Sequence, residues 1–321
     1  MKRFIWLLTG LLALFLLVSC TQPEPDQVTI QLKWLHSAQF AGVYIAQEQG
    51  FYAEENIELT IKPGGFGEDG VINVVDEVMS GQAEFGIWSG DSLLRASSEG
   101  QPVKAISAIF QINPTAYFSL AENNIETPAD LAGKRIASAN GNLFLHSVLH
   151  SSGLTIDNIE IFPLESDMTP LLNGEVDVWS GYLTEQVARL EAEGYELNVI
   201  LAYDYGAFIY SDILFTTDNL VQENPDLVER FVRATMRGWE YALANPDEAV
   251  AATLKIDPSL DEASLEREMR ASIPLIDAGQ SALGLMDDTI WETTQSILIE
   301  NELLEAPLDL TTLYTNEFVA P

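Results

Sequence analysis

The sequence predicts an α/β protein made of two lobes. Three observations lead to this fold class. The chain has 321 residues, which exceeds the roughly 250 to 300 residues at which a single hydrophobic core stops growing. Short β-rich runs alternate with helix-like runs over the first two thirds of the chain, and this succession is typical of a mainly parallel sheet. The last third has a helical pattern.

The first series of alternating runs predicts one lobe. Strands are expected at 28–32, 57–61, 83–88 and 103–110, with helices before Gly50, at 71–80 and at 91–98. Gly81 and Gly100 follow the last two helices, and glycine is the residue that most often ends a helix, because it accepts a left-handed backbone.

A second series predicts the other lobe. Strands are expected around 133–137, 159–163 and 176–179. A short helix is expected to begin at Thr127-Pro128, since the backbone N–H that proline lacks would have no partner within the helix at this first position. An apolar, β-rich run at 206–215 follows, and helices are expected at 225–244, 246–254, 260–271 and 287–301.

Two α/β lobes followed by helices fit the bilobal, type II architecture of periplasmic binding proteins, with a hinge that the chain crosses twice. We place the crossings near 112–114 and 203–208. Lobe one then comprises residues 27–112 and 209–321, and lobe two comprises residues 113–208. Closure of such lobes around a ligand is the expected working motion.

The amino terminus predicts export and lipid attachment. Two basic residues precede an apolar run at 5–18, and the only cysteine of the chain, Cys20, follows a small residue. The run is short for a transmembrane span of about 20 residues. We therefore interpret residues 1–19 as a lipoprotein signal peptide and 20–26 as a tether. The mature protein is expected outside the cytoplasm, anchored to the membrane by a lipid on Cys20.

Charge and motifs exclude several classes of function. The net charge is −34, which argues against nucleic acid because its phosphates would be repelled. The chain contains neither an H-E-x-x-H motif nor a G-x-S-x-G motif, so no metal site or serine nucleophile is expected. The segment 65–70 matches the dinucleotide-binding pattern G-x-G-x-x-G, but Glu68 and Asp69 would face the pyrophosphate of the dinucleotide and repel it. We expect no cofactor, no catalytic residues and a monomer.

The loops that follow predicted strands supply a candidate ligand site, because open α/β sheets bind ligands beyond the carboxyl ends of their strands. Trp, Tyr, His and Gln combine a flat or apolar body with a hydrogen-bonding tip, which suits a planar ligand with a polar edge. Core packing and helix capping are the competing roles. The candidate ligand-binding residues are Trp34, His36, Gln39, Tyr44, Trp88, Ser89, Asn113, Asn140, Tyr182 and Glu185.

The opening segment also resembles a known family. Trp34-Leu35-His36-x-Ala38-Gln39-Phe40-Ala41-Gly42-x-Tyr44-x-Ala46, followed by Gly50-Phe51-Tyr52, is similar to the start of solute-binding proteins related to fungal thiamine-pyrimidine synthase. The segments 130–134 and 284–291 extend the resemblance over nearly the whole mature chain. It implies a secreted binding subunit of an ABC importer that works with a permease and an ATPase.

The resemblance implies a vitamin precursor as the ligand. In the family, a loop reading Tyr-x-Thr-Asn-Glu uses its acid to hold an aminopyrimidine. This chain has Glu185 and Gln186 at the last two positions, so the acid is displaced by one residue. The first expectation is a thiamine pyrimidine precursor of the formylaminopyrimidine or hydroxymethylpyrimidine type, and the alternative is riboflavin.

An enzyme is the alternative of another class. The family has a branch that synthesises the thiamine pyrimidine from pyridoxal phosphate and its own histidine, with a cysteine-rich iron-binding motif. This chain has His36 in a comparable place, but its single cysteine cannot form such a motif. Binding is therefore favoured over synthesis.

Overall fold

The computed structural model describes residues 24–67, 70–138, 143–165, 167–277, 279 and 282–319. The predicted signal peptide, Cys20 and Asn140 lie outside the described residues, as does part of the tether. Within the described part of the chain, no helix is both long and apolar enough to cross a bilayer.

Strands and helices alternate along the described chain. The strands are β1 Asp26–Gln31, β2 Ile57–Lys62, β3 Phe66–Gly67, β4 Gly70–Val71, β5 Phe85–Trp88, β6 Val103–Ala108, β7 Thr115–Leu120, β8 Arg135–Ala137, β9 Glu160–Phe162, β10 Val178–Tyr182, β11 Leu197–Leu201 and β12 Ile213–Thr217. The helices are α1 Ala41–Glu48, α2 Phe51–Glu54, α3 Val74–Met79, α4 Gly90–Ser98, α5 Leu143–His150, α6 Thr169–Leu172, α7 Ala188–Ala192, α8 Asp218–Glu223, α9 Pro225–Ala244, α10 Pro246–Ile256, α11 Glu262–Ile276, α12 Asp288–Glu300 and α13 Leu310–Leu313.

Two five-stranded sheets form the two lobes. The first has the order β2-β1-β5-β12-β6, and the second has the order β11-β7-β10-β8-β9. The chain passes between the sheets after β6 and again after β11, which gives the predicted bilobal arrangement with two crossings. The exact lobe boundaries at 112/113 and 208/209 stay predictions.

The sheets are mixed rather than wholly parallel. β1 pairs in parallel with β2 and β5, and β8 pairs in parallel with β9 and β10. β12 runs antiparallel to both of its neighbours, and so does β7. These are the first strands after each crossing. A strand that arrives directly from the other lobe enters at the cleft edge, where the parallel strands end, and must therefore run in the opposite direction.

The core of lobe one lies between its sheet and the helices α1 and α9. Asn224 caps the start of α9 by accepting a hydrogen bond from the Leu227 amide, and Pro225 occupies the first turn. Gly42 and Gly238 let the two helices approach closely, because a β-carbon on Gly42 would overlap the buried ring of Trp239. The crossing of α1 and α9 in turn fixes the segment that enters α1 from the cleft.

The apolar, β-rich run predicted at 206–215 forms a strand only from Ile213 onward. Residues 202–205 form a 3₁₀ turn, and the apolar residues Ile209 and Tyr210 are buried in a cluster that contains residues of both lobes. They are apolar because they pack at the second crossing, and they do not belong to a sheet.

Candidate ligand-binding site

The strand ends that the sequence singled out meet at a cleft between the two lobes. β1 is followed by Lys33 and the polar-aromatic segment, and β10 of lobe two ends at Tyr182. The Lys33 ammonium donates a hydrogen bond to the Tyr182 hydroxyl at 2.7 Å. Residues far apart in sequence therefore touch across the cleft, where open α/β sheets bind ligands.

Glu268, on helix α11 of lobe one, holds the segment that leads into α1. Ser37 begins the short 3₁₀ helix Ala38–Phe40, and its hydroxyl oxygen accepts a hydrogen bond from the Gln39 amide. Glu268 of α11 accepts hydrogen bonds from the Ser37 hydroxyl at 2.9 Å and from the Ala38 and Gln39 amides at 3.0 Å each. Its side chain is 4% exposed. A carboxyl group at this end of a helical segment satisfies amides that have no partner within the helix.

Glu268 lies close to an acid from the other lobe. Burial and then the charge of Glu185 raise the pKa of Glu268 to about 8, while its hydrogen bonds to residues 37–39 act in the opposite direction. Burial also raises the pKa of Glu185, and Arg189 opposes that shift. The pair therefore retains a proton at a pH where two ordinary carboxyl groups would both be ionised.

A single π-helical turn, residues 183–187, orients Glu185. Within it, Gln186 accepts a hydrogen bond from the Tyr182 amide at 2.7 Å and donates one to Glu185 at 2.7 Å. The Gln186 amide is thus engaged with its own loop, whereas Glu185 lines a cavity. Such π-turns are rare and occur frequently at functional sites.

Five polar side chains form what we call the cleft network: Lys33, Gln39, Tyr182, Ser211 and Asp212. Asp212, 2% exposed, accepts hydrogen bonds from the Gln39 amide group at 2.5 Å, the Ser211 hydroxyl at 2.9 Å and the Tyr182 hydroxyl at 3.1 Å. The Lys33 ammonium lies 3.6 Å from Asp212 and also donates to the Ser211 carbonyl at 2.6 Å. Tyr182 is the lobe-two member, so the network ties the lobes together.

Beside the cleft network lies a cavity of about 200 Å³, which we call the polar cavity. Lobe two contributes Glu185 and Arg189. The lining residues are His36, Ser37, Glu185, Arg189, Leu260, Asp261, Ser264, Leu265 and Glu268. The cavity therefore lies between the lobes and carries both acids and a guanidinium group.

The candidate residues of the first segment are engaged with other side chains of the protein, and of these candidates only His36 lines the polar cavity. His36 Nδ1 lies 2.9 Å from the hydroxyl of the buried Tyr44. Burial lowers the pKa of His36, although Asp257 acts in the opposite direction. The ring of Trp34 makes an edge contact with Phe66 at a centroid distance of 5.4 Å.

The candidate aromatic residues Trp34 and Tyr182, one from each lobe, are not in contact with each other. The ring nearest to Tyr182 is Phe110, at a centroid distance of 6.5 Å, and the Tyr182 hydroxyl belongs to the cleft network. Burial and Asp212 raise the pKa of Tyr182, so the hydroxyl stays protonated and donates. Gln39, predicted for the ligand's polar edge, is likewise engaged with Asp212.

The remaining candidates lie at the other loops. Ser89 precedes α4 without a side-chain cap bond, and its hydroxyl donates to Ser92 at 2.9 Å; Trp88 is half-buried beside it. Asn113 holds the first crossing to the second, because its amide group donates to the Ile209 carbonyl at 2.9 Å while its oxygen accepts from the Thr115 amide at 2.8 Å.

Sequence reasoning did not single out four residues that the structure places at the cleft: Lys33, Arg189, Asp212 and Glu268. Glu268 had a detectable signal, since it shares a helix face with the buried Leu265, Met269 and Ser272. An acid on an otherwise buried stripe requires a partner. Asp91 Oδ1 is also buried, and it accepts no hydrogen bond from the residues that the structure describes.

A family model described as "NMT1/THI5 like" matches residues 37–249. The chain belongs to this family. The resemblance predicted from the Trp34 to Tyr52 motif is therefore confirmed.

Family relatives carry different functional names. The riboflavin-binding protein RibY of Chloroflexus aurantiacus is 31% identical, with 99% of each chain covered. The formylaminopyrimidine-binding protein of Halalkalibacterium halodurans is 24% identical, with 96% of this chain and 97% of the relative covered. A 4-amino-5-hydroxymethyl-2-methylpyrimidine phosphate synthase of Legionella pneumophila is 24% identical, with 92% of each covered. The family thus contains both binding proteins and enzymes.

A solved structure confirms the fold. The alkanesulfonate-binding protein SsuA from Xanthomonas axonopodis pv. citri, bound to MOPS, superimposes with a TM-score of 0.70 over 91% of this chain and 100% of its own. The two sequences are 16% identical, so the likeness concerns the fold alone. It is the predicted periplasmic-binding-protein fold.

Proposed function

We propose that this protein is the extracytoplasmic solute-binding component of an ABC importer for a planar nitrogen heterocycle, and that riboflavin is its ligand. The polar cavity between the lobes carries the proposal. Side chains of both lobes line it, so that a ligand held there contacts both lobes and favours the closed form. A permease and an ATPase are the implied partners, since a binding protein moves no ligand by itself.

Two observations support riboflavin over a thiamine pyrimidine. The riboflavin-binding relative is 31% identical along the whole chain, compared with 24% for the formylaminopyrimidine-binding relative. In addition, Gln186 stands where the family's pyrimidine-binding acid is expected, and it is engaged with the Tyr182 amide and with Glu185. This reverses the order of preference that the sequence motif suggested.

The thiamine pyrimidine is the second candidate because Glu185 itself lines the polar cavity. Its carboxylate provides the acceptor that an exocyclic amino group requires. The cavity, about 200 Å³, is also smaller than the roughly 300 to 1,000 Å³ of typical ligand pockets. A single pyrimidine ring matches that size better than a three-ring flavin does.

Synthesis of the pyrimidine is the competing function, supported by the synthase named among the relatives. The chain has one cysteine, which leaves no cysteine-rich iron site, and His36 is paired with the Tyr44 hydroxyl. Binding is therefore preferred. Mass spectrometry of the protein after incubation with pyridoxal phosphate and ferrous iron checks this: loss of mass at His36 with release of a pyrimidine would contradict the binding function.

Ligand titration tests the proposal. We expect the fluorescence of riboflavin to be quenched when it binds at one site. Bound riboflavin should also raise the unfolding temperature, because it stabilises the native state by RT ln(1 + [L]/Kd). Calorimetry with hydroxymethyl and formyl aminopyrimidines and with an aliphatic sulfonate provides the comparison. Saturable aminopyrimidine binding without riboflavin binding would select the second candidate, and a sulfonate alone would overturn both.

Trp34 is the proposed stacking residue for the ring. Replacing it by alanine removes a stack worth about 0.5–1.5 kcal/mol beyond its buried area, so riboflavin affinity should fall at least threefold to tenfold. Tyr195, an exposed aromatic residue that does not line the cavity, is the matched control, and Tyr195→Ala should leave affinity unchanged. Equal effects of the two variants would remove Trp34 from the site.

The lipid anchor on Cys20 stays a prediction, because that residue lies outside the described chain. Metabolic labelling with palmitate should mark the expressed protein and should fail on the Cys20→Ala variant. Equal labelling of both proteins would place the lipid elsewhere or remove the anchor from the proposal.

A further inference from the structure

The polar cavity differs in character from the rest of the cleft. Among the described residues that line it there is no Trp, Tyr or Phe, whereas Trp34 and Tyr182 precede its His36 and Glu185 on the two walls. Each wall thus changes from aromatic to polar within a few residues. Because its volume of about 200 Å³ falls below the roughly 300 Å³ of a pocket for a whole ligand, the cavity suits one polar part of a larger molecule.

The cavity contains hydrogen-bonding groups that have no partner among the described residues, and these groups indicate which part of the ligand binds there. The Arg189 guanidinium donates no hydrogen bond to, and forms no ion pair with, any residue that the structure describes. Glu185, which lines the cavity, accepts one hydrogen bond, from Gln186 to Oε2, and its other oxygen has no hydrogen-bonding partner among the described residues. By contrast, the oxygens of Glu268 already accept three hydrogen bonds.

A donor and an acceptor side by side match hydroxyl groups. A hydroxyl both donates and accepts, so a chain of hydroxyls can accept from Arg189 and donate to Glu185. An anionic group would also attract Arg189, but it would lie next to Glu185 and Asp261, which line the same cavity. A neutral polyol avoids that repulsion.

We infer that the polar cavity is the subsite for the polyhydroxylated chain of the ligand, the ribityl chain of riboflavin, and that Arg189 and Glu185 select for it. This inference rests on the proposed function. The flavin ring then lies outside the cavity, along the aromatic part of the cleft, where the lobes separate to admit it.

Lumiflavin provides the test, because it carries the same ring with a methyl group in place of the ribityl chain. The purified protein is titrated with riboflavin, riboflavin 5′-phosphate and lumiflavin. Hydrogen bonds to charged groups are worth about 1.5–3 kcal/mol each, so lumiflavin should bind about 10- to 100-fold more weakly than riboflavin. Riboflavin should also bind more tightly than its phosphate. This comparison uses the unmodified protein and does not depend on how any variant folds.

The variant Arg189→Met assigns the effect to the cavity. It should lower riboflavin affinity by about tenfold or more and change lumiflavin affinity by less than about threefold. Arg270→Met is the matched control, because Arg270 is exposed and pairs with Asp247 away from the cavity. It should affect neither ligand. Thermal unfolding without ligand confirms that both variants fold.

The outcomes separate the inference from the proposed function. Equal affinities for riboflavin and lumiflavin, or equal losses for both in Arg189→Met, would overturn the subsite and leave riboflavin as the ligand. Tighter binding of the phosphate, lost in Arg189→Met, would make the cavity an anion site instead. If neither flavin binds, the proposed function and the inference fail together.

Discussion

The cleft network and the polar cavity are adjacent, carry similar side chains and use their polar atoms differently. In the cleft network, the Asp212 carboxylate and the Lys33 ammonium are surrounded by partners from within the protein. In the polar cavity, Arg189 and one oxygen of Glu185 have no hydrogen-bonding partner among the described residues. Both regions lie between the lobes, so burial alone does not distinguish them.

The difference indicates a division of roles. A fully hydrogen-bonded buried network fixes one arrangement of the groups that form it, and here that arrangement joins Tyr182 of lobe two to lobe one. Donors and acceptors in a cavity that have no partner within the protein are instead available to a ligand. Under the proposed function, the cleft network stabilises the closed form, while the polar cavity provides selectivity.

The largest effect is expected from removing the centre of the cleft network. Asp212→Ala leaves the Lys33 ammonium, 17% exposed, without its carboxylate, and breaking a buried ion pair from one side costs about 3–5 kcal/mol. Urea unfolding should show this loss. Asp247→Ala, which removes the exposed partner of Arg270, should cost less than about 1 kcal/mol. Similar losses in both variants would contradict the role assigned to the network.

The next effect concerns pH and the carboxyl of Glu268. Its pKa of about 8 in the folded protein lies above its ordinary value of 4.5, so the folded state binds the proton more tightly than the unfolded chain does. The stabilisation from this proton is complete below about pH 4.5 and is lost as pH rises toward 8. Each unit of pKa shift corresponds to about 1.36 kcal/mol, so we expect the free energy of unfolding to fall by several kcal/mol over that window.

Glu268→Gln should flatten this decrease, because the amide does not titrate. The groups that share the cavity with Glu268 are Glu185, Arg189, His36 and Asp261. Of these, Glu185 also has a raised pKa and contributes a decrease of the same sign. Glu185→Gln is therefore measured in parallel. A slope unchanged in both variants would show that neither carboxyl carries the extra proton.

Tyr182→Phe should have a smaller effect. It retains the ring but removes the hydroxyl that accepts from Lys33 and donates to Asp212, at a cost of about 1–2 kcal/mol. Small-angle scattering should show a larger radius of gyration without ligand, since the lobes lose their shared contact. Tyr195→Phe, at an exposed site, serves as the control and should change neither quantity. If stability falls but the radius of gyration does not change, the hydroxyl stabilises the fold without holding the lobes together.

The smallest effect is expected at His36. His36→Ala removes the partner of the buried Tyr44 hydroxyl, which costs about 1 kcal/mol at neutral pH. Because burial lowers the pKa of His36 below 6.5, its neutral form stabilises the fold at higher pH, and this stabilisation is lost as pH falls. The variant should therefore lose less stability on acidification. His150→Ala, at an exposed helix end, should show neither change.

Local sequence features determined much of the architecture. The limits of α9 follow from Asn224 and Pro225 at its start, and the alternation of strands and helices predicted two α/β lobes. The motif from Trp34 to Tyr52 identified the family that the family model confirms. These inferences succeed because capping, periodicity and strand order depend on residues close together in the chain.

Only the tertiary structure decided which polar groups are hydrogen-bonded within the protein and which are available to a ligand. Gln39 and Tyr182 have suitable chemistry for a ligand, yet Asp212, which lies 173 positions from Gln39, takes up both of them. Glu268 reaches the start of α1 from more than 200 residues away. Such contacts depend on how the lobes and helices pack, because a hydrogen bond requires an exact distance and direction that residue type and local spacing do not specify.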